Sequence, residues 1–162
     1  MPYSLRQLSR AELEDLAALR VPAHLTDQLE PGALPPAFVA ARSLDLAAKG
    51  HGEPWATSFL IVRNHDQRIV GACGFKTAPT GGRVELGYGV AAAVRGQGAA
   101  TQALKLLLAM AFEAGATEIL AEVVPENEAS AKVVQKCGFV RTGARHDKDG
   151  EYVVQWLRSR AA

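Results

Sequence analysis

Polar and apolar residues alternate from Tyr3 to Leu8, the period of a strand with one buried face. Ser9 follows, with Glu12 three positions on as in a capping box, and Leu13, Leu16 and Ala17 continue at helical spacing. Pro22 ends that helix. Residues 21–37 hold four prolines and Gly32, which predicts a surface loop or broken helix. A second helix is predicted from Pro36 to Lys49, with Phe38, Ala41, Leu44 and Ala48 along its buried face and Gly50 and Gly52 ending it.

Three strands come next: Ser58–Arg63, Arg68–Lys76 and Arg83–Val90. The turns Asn64-His65-Asp66-Gln67 and Gly81-Gly82 link them as antiparallel neighbours. The period then changes. Ala100, Ala103, Leu104, Leu107, Leu108 and Ala111 form one stripe of a helix over Ala99–Ala114, capped by Gly115. Strand Glu118–Val124 and helix Asn127–Cys137 follow, the helix ended by Gly138. Phe139–Arg145 and Tyr152–Leu157 read as strands joined across the turn Asp147-Lys148-Asp149-Gly150.

This order predicts one domain over residues 1–162, of mixed α/β (α+β) class. Its central sheet would be mostly antiparallel, with about seven strands flanked by about four helices. One parallel pair is expected where the helix from Ala99 crosses between Val84–Val90 and Glu118–Val124.

Composition narrows the function classes. Of 162 residues, 48% are apolar and 22% charged, as in ordinary water-soluble domains. The net charge of +1 lacks the basic excess of a nucleic-acid binder. No apolar run reaches the length of a membrane span, and the N-terminus lacks the apolar core of a signal peptide. Cys73 and Cys137 each sit in an apolar stretch, so reduced core thiols in a cytoplasmic protein are expected. His24, His51, His65 and His146 show no metal-ligand spacing with either cysteine, and no metal is expected.

The distinctive feature is Gly96-Gln97-Gly98 between a strand and a long helix. A helix start offers unpaired N–H groups and the positive end of the helix dipole, and glycines let an anion approach the backbone. A phosphate suits that position. No lysine follows Gly98, which excludes a nucleoside-triphosphate loop. Gly87-Tyr88-Gly89-Val90-Ala91-Ala92 formally fits a dinucleotide fingerprint, but no helix starts there and the strands before it are hairpin-linked.

Arg95-Gly96-Gln97-Gly98-Ala99-Ala100 resembles the [RQ]-x-x-G-x-[GA] motif of the GNAT acetyltransferases, with Val90 before it at the family's spacing. Asn127-Glu128-Ala129-Ser130 and Cys137-Gly138-Phe139 are similar to the family's later segment. Glu85-Leu86-Gly87-Tyr88 has a counterpart in the ribosomal-protein-alanine acetyltransferase branch. The likeness covers nearly the whole chain. It implies an enzyme that passes acetyl from acetyl-CoA directly to a primary amine of a peptide or small molecule, as a monomer or homodimer. The non-enzyme alternative is an acyl-CoA-binding sensor or scaffold of the same fold.

The resemblance assigns the pyrophosphate to Arg95, Gly96, Gln97, Gly98, Ala99, Ala100 and Thr101. It gives the thioester carbonyl to backbone near Val90 and the pantetheine arm to Asn127, which also suits as a helix N-cap. The amine must lose a proton, and Glu85 is the general-base candidate, with Gly87 and Gly89 leaving room beside it. A plain pairing of Glu85 with Arg83 or Lys76 is the other reading. Many family members carry a tyrosine as general acid where this chain has Val134, which leaves Ser130 as the nearest hydroxyl in sequence. Lys105, Lys132 and Lys136 are candidates for the adenosine 3′-phosphate, and Trp55, Phe38 and residues 21–37 for the acceptor pocket.

Overall fold

A computed structural model describes residues 1–160. Strand β1 (Tyr3–Gln7) leads into helix α1 (Arg10–Ala17), and a 3-10 helix (Ala23–Gln28) precedes helix α2 (Ala37–Ala48). Strands β2 (Ser58–Arg63), β3 (Arg68–Phe75) and β4 (Arg83–Val90) form the meander read from the sequence. After them come helix α3 (Ala99–Glu113), strand β5 (Glu118–Val123), helix α4 (Glu128–Lys136) and strands β6 (Val140–His146) and β7 (Tyr152–Ser159).

The seven strands lie in the order β1-β2-β3-β4-β5-β7-β6, and every neighbouring pair is antiparallel except β4 with β5. That parallel pairing is short. Arg83, Val84 and Glu85 face Glu118, Ile119 and Leu120, and beyond Glu85 the two strands part. β4 continues to Val90 on β3 alone, while β5 continues to Val123 on β7 alone. The sheet thus opens from its middle towards the start of α3.

Each face of the sheet has its own cover. Leu5, Phe59, Phe75 and Leu86 lie on one face by strand alternation and register, and α3 packs there with Ala103, Leu104, Leu107 and Ala111 buried. Ser58, Gly74, Glu85 and Gly87 lie on the other, where Ser43 of α2 meets Ser58 with hydroxyl oxygens 2.7 Å apart. At the head of α1, the Ser9 hydroxyl accepts from the Glu12 N–H at 3.1 Å and the Glu12 carboxylate accepts from the Ser9 N–H at 2.8 Å.

The buried face of α2 differs from the predicted one. Phe38, Ala41 and Ala48 are exposed and Leu44 is half-buried, whereas Ala40 and Ser43 are buried. Small residues let α2 lie close on β2, and the hydrogen bond to Ser58 offsets the burial of a hydroxyl. Among the described residues no helix is long and apolar enough to cross a membrane.

Candidate active site

The predicted phosphate loop has the geometry its glycines suggest. Gly96 (φ +79°) and Gly98 (φ +86°) both take the left-handed conformation that L side chains avoid, and Gly98 is the N-cap of α3. The first helical bond runs from the Gln102 N–H to the Gly98 carbonyl at 3.0 Å, so the N–H groups of Ala99, Ala100 and Thr101 have no intrahelical partner. A Cβ built on either glycine meets nothing within 4 Å, which leaves the approach open. Arg95 and Gln97 are exposed, Ala100 and Thr101 half-buried, and Ala99 is buried as the helix's foothold in the core. Strand β1 pins the loop from behind: the Tyr3 N–H donates to Gln102 Oε1 at 2.8 Å and the Tyr3 hydroxyl to the Gln97 carbonyl at 3.4 Å. Lys105, Lys132 and Lys136 are exposed on α3 and α4.

The loop opens onto the gap between β4 and β5. The Lys76 N–H donates to the Glu85 carbonyl at 2.7 Å and the Ala91 N–H to the Val70 carbonyl at 2.8 Å. Odd-numbered residues of β4 therefore bond to β3, and even-numbered ones direct their N–H and C=O away from it. With β5 gone beyond Glu85, the main-chain groups of Tyr88 and Val90 point into the gap. At position 71 on β3 a Cβ would strike the Gly89 carbonyl and come within 3.1 Å of the Val90 Cα, so Gly71 allows this end of β4 to sit where it does.

Helix α4 closes one side of the gap. Asn127 is its N-cap, with Oδ1 accepting from the Ser130 N–H at 3.1 Å. Ser130 Oγ lies 2.5 Å from the hydroxyl of Tyr88, which reaches across from β4. Burial raises the Tyr88 phenol above its ordinary value, against the lowering effect of the Ser130 hydrogen bond, so it stays protonated at neutral pH. Val134 is fully buried and supplies only packing. Cys73 and Cys137 are free buried thiols, and burial pushes both up.

Glu85 stands on the opposite face, at the last residue of the parallel seam. The Lys76 ammonium lies 2.7 Å from Glu85 Oε2, off the line of a well-directed hydrogen bond, so the contact is an ion pair with loose geometry. Gly87 and Gly89 lack side chains beyond it, and a Cβ at Gly89 would meet open space. By strand period Glu122 of β5 shares this face with Leu120 and hence with Glu85. Burial alone would raise the Glu122 carboxyl, but hydrogen bonds from Arg145 (2.6 and 2.8 Å) and Gln155 (3.0 Å) hold it below the usual range. Arg42 of α2 lies within Coulombic reach of Glu85, with its guanidinium carbon 6.0 Å from the Phe38 ring centre.

Val90 and residues 95–101 follow the open end of the gap, Asn127 and Ser130 join it through Tyr88, and Glu85 stands at the seam on the opposite face. Tyr88, Arg42, Glu122 and Arg145 were not picked out from the sequence. Strand alternation could have found Glu122, whereas Tyr88 and Arg42 are brought in by long-range packing that no local pattern encodes. The half-buried Trp55 packs its ring edge-on against Phe75 at 4.9 Å and 70°, and Phe75 lies on the face away from Glu85.

The sheet is thus split between β4 and β5, with a helix start of unpaired N–H groups at its open end. The sequence pattern of the acetyltransferase (GNAT) domain matches residues 4–140. The chain belongs to that family, whose acetyl donor is acetyl-CoA. A Bacillus licheniformis protein described as an uncharacterized N-acetyltransferase p20 is 30% identical over 105 residues, which cover 64% of this chain and 57% of that protein's length. Among solved structures, the ribosomal-protein-S5-alanine acetyltransferase of Vibrio fischeri superposes with a TM-score of 0.68 at 20% identity, covering 98% of this chain and 93% of the other. A chimeric spermidine N-acetyltransferase derived in part from Vibrio cholerae gives 0.69 at 17% identity, covering 98% and 96%.

Proposed function

We propose that this protein transfers acetyl from acetyl-CoA to a primary amine in a single step, with no acetylated enzyme between. The observation that carries the reading is the pair of left-handed glycines at the α3 start, opening on the gap beyond the three-residue parallel seam. The donor's pyrophosphate would lie on the free N–H groups of Ala99, Ala100 and Thr101, beside Arg95 and the open faces of Gly96 and Gly98. Its pantetheine arm would fill the gap in place of the missing β4–β5 hydrogen bonds, within reach of the Asn127 amide.

The chemistry then divides between two faces. The Val90 N–H, directed into the gap, would stabilise negative charge on the thioester oxygen as nitrogen attacks. Glu85, directly or through water, would take the proton that the ammonium must lose before its lone pair is free. As the C–S bond breaks, the leaving sulfur would take a proton from the hydroxyl pair of Ser130 and Tyr88, so amide and free thiol are the products. Tyr88, protonated at neutral pH because burial raises its phenol, would resupply Ser130 and be reprotonated from water, while the second proton of the nitrogen leaves to solvent as the amide forms. The buried, reduced Cys73 and Cys137 suit a reducing compartment such as the cytoplasm.

The test is release of CoA thiol from acetyl-CoA across a panel of peptides, amino acids, polyamines and aminoglycosides, alongside calorimetric binding of acetyl-CoA. Binding together with acceptor-dependent thiol release is expected. Binding without release on any amine would mean a sensor domain, and no binding would remove the reading altogether.

A further inference from the structure

The face that carries Glu85 has a charge pattern that bears on the acceptor. Glu85 and Glu122 lie there with Lys76, Arg145 and Arg42, and Asp147 is within Coulombic reach of Arg145. Glu122 is saturated, for its side chain is 6% exposed and both oxygens are taken by Arg145 and Gln155. Lys76 is held only by the loosely directed pair with Glu85. Arg42 is short of partners: its Nε is buried and has no hydrogen-bond partner among the described residues. The negative charge that acts on it is that of Glu85. One carboxylate therefore serves two cations, at the place where an acceptor must come.

We propose that the acceptor carries a carboxylate close to the amine it presents, and that this carboxylate binds Arg42 and Lys76 and frees Glu85 to take the amine's proton. This inference rests on the acetyl-transfer reading. The physical argument is one of exchange. While Lys76 occupies Oε2, the lone pairs that would accept a proton face an ammonium. An incoming carboxylate supplies a planar acceptor for the Arg42 fork and draws Lys76 from Glu85, so that ion pairs are swapped and no charge is left unpaired in the half-buried site. A polycation acts in the opposite sense. It brings no carboxylate to draw Lys76 and Arg42 away, so its ammonium meets a Glu85 that is still engaged by both cations. A free amino acid and an acidic residue next to a peptide N-terminus both supply such a carboxylate, and the acceptors tested separate these.

The experiment compares acceptors that differ in charge alone. Matched tripeptides with Asp or Lys at the second position, a free amino acid and spermidine are assayed by CoA thiol release with saturating acetyl-CoA, for the wild type and for Arg42→Met. Wild type should turn over the Asp peptide or the amino acid with kcat/KM at least tenfold above the Lys peptide, and spermidine should be poorest. Arg42→Met should raise KM for the carboxylate-bearing acceptor about tenfold, leave the Lys peptide unaffected or improved, and leave KM for acetyl-CoA unchanged. Circular dichroism confirms that the variant folds, and Arg42→Lys, which keeps the charge, should recover part of the loss. Preference for spermidine or the Lys peptide, or an equal effect of Arg42→Met on both peptides, overturns the inference while the acetyl-transfer reading stands. Absence of thiol release with every acceptor overturns both.

Discussion

Gly98 offers a perturbation whose effects on folding and on ligand binding should have opposite signs. Its φ of +86° and ψ of 3° lie in the left-handed region, where Asn and Asp are the best tolerated replacements. The space around its Cβ is open, so either side chain fits without collision. Gly98→Asn and Gly98→Asp share shape and backbone demand and differ by one charge. In the free protein that charge sits at the N-terminus of α3, where the helix dipole stabilises an anion by about 0.3–1 kcal/mol. Gly98→Asp should therefore melt at or slightly above Gly98→Asn. With the donor bound, the same carboxylate would lie about 5 Å from a phosphate. At an effective dielectric constant of about 20, that repulsion is about 3 kcal/mol, or roughly 150-fold in Kd. Calorimetry with acetyl-CoA and thermal melts of the two variants are the assay. Equal affinities for acetyl-CoA would refute the reasoning and move the pyrophosphate elsewhere.

Glu85→Gln should lower turnover by roughly 100-fold at neutral pH, with little change in KM for acetyl-CoA. The deficit should shrink at high pH, where the acceptor is already deprotonated; pH–rate profiles of variant and wild type check this. Tyr88→Phe and Ser130→Ala should each reduce kcat by about tenfold, and the double variant should be little worse than either. Independent, multiplying effects would show that the two hydroxyls do not act together. Glu12 sets a pH limit on stability. Burial alone would raise its carboxyl, but hydrogen bonds from the Ser9 N–H, Arg6 and His24 bring it down to about 2 from 4.5. The contribution, about 3 kcal/mol, is fully present above the unfolded value of 4.5 and is lost as pH falls towards 2. Urea melts should show Glu12→Gln less stable than wild type near pH 6, with the difference vanishing near pH 2.

The elements were readable because local signals agreed with one another. The α3 stripe, the turn at Gly81-Gly82 and the Ser9–Glu12 capping box each say the same thing at two levels, pattern and punctuation. The backbone of the loop before α3 was readable for the same reason, since a left-handed N-cap leaves few choices but glycine. The buried face of α2 was misjudged because apolar character is a poor guide where a helix packs through small residues. Ser43 is buried through a hydrogen bond, and Phe38 stays out at 67% exposure beside Arg42. The Tyr88–Ser130 contact joins residues 42 positions apart, and the Arg42–Glu85 approach depends on how α2 docks. Such contacts follow from the registration of whole layers. Of the pairings weighed for Glu85, the structure selects Lys76, while Arg83 bonds to Glu118 across the seam.

That seam has a mechanical meaning. Among the described residues, three ladder pairs and the hydrogen bonds of Thr117 and Glu118 to the Gly82 carbonyl join the block of β1 to β4 with the block of β5, β6 and β7 along the sheet, so the sheet is narrowest at one line. A donor lodged in the gap would act as a keystone between the blocks. Its measured affinity would then contain the conformational entropy lost when they stop moving against each other. Substitutions that stiffen the seam at Arg83 or Glu118, far from any ligand atom, would tighten CoA as well as acetyl-CoA. They would lengthen the stay of the spent carrier, so rigidity gained there would be paid in turnover wherever departure of CoA sets the pace.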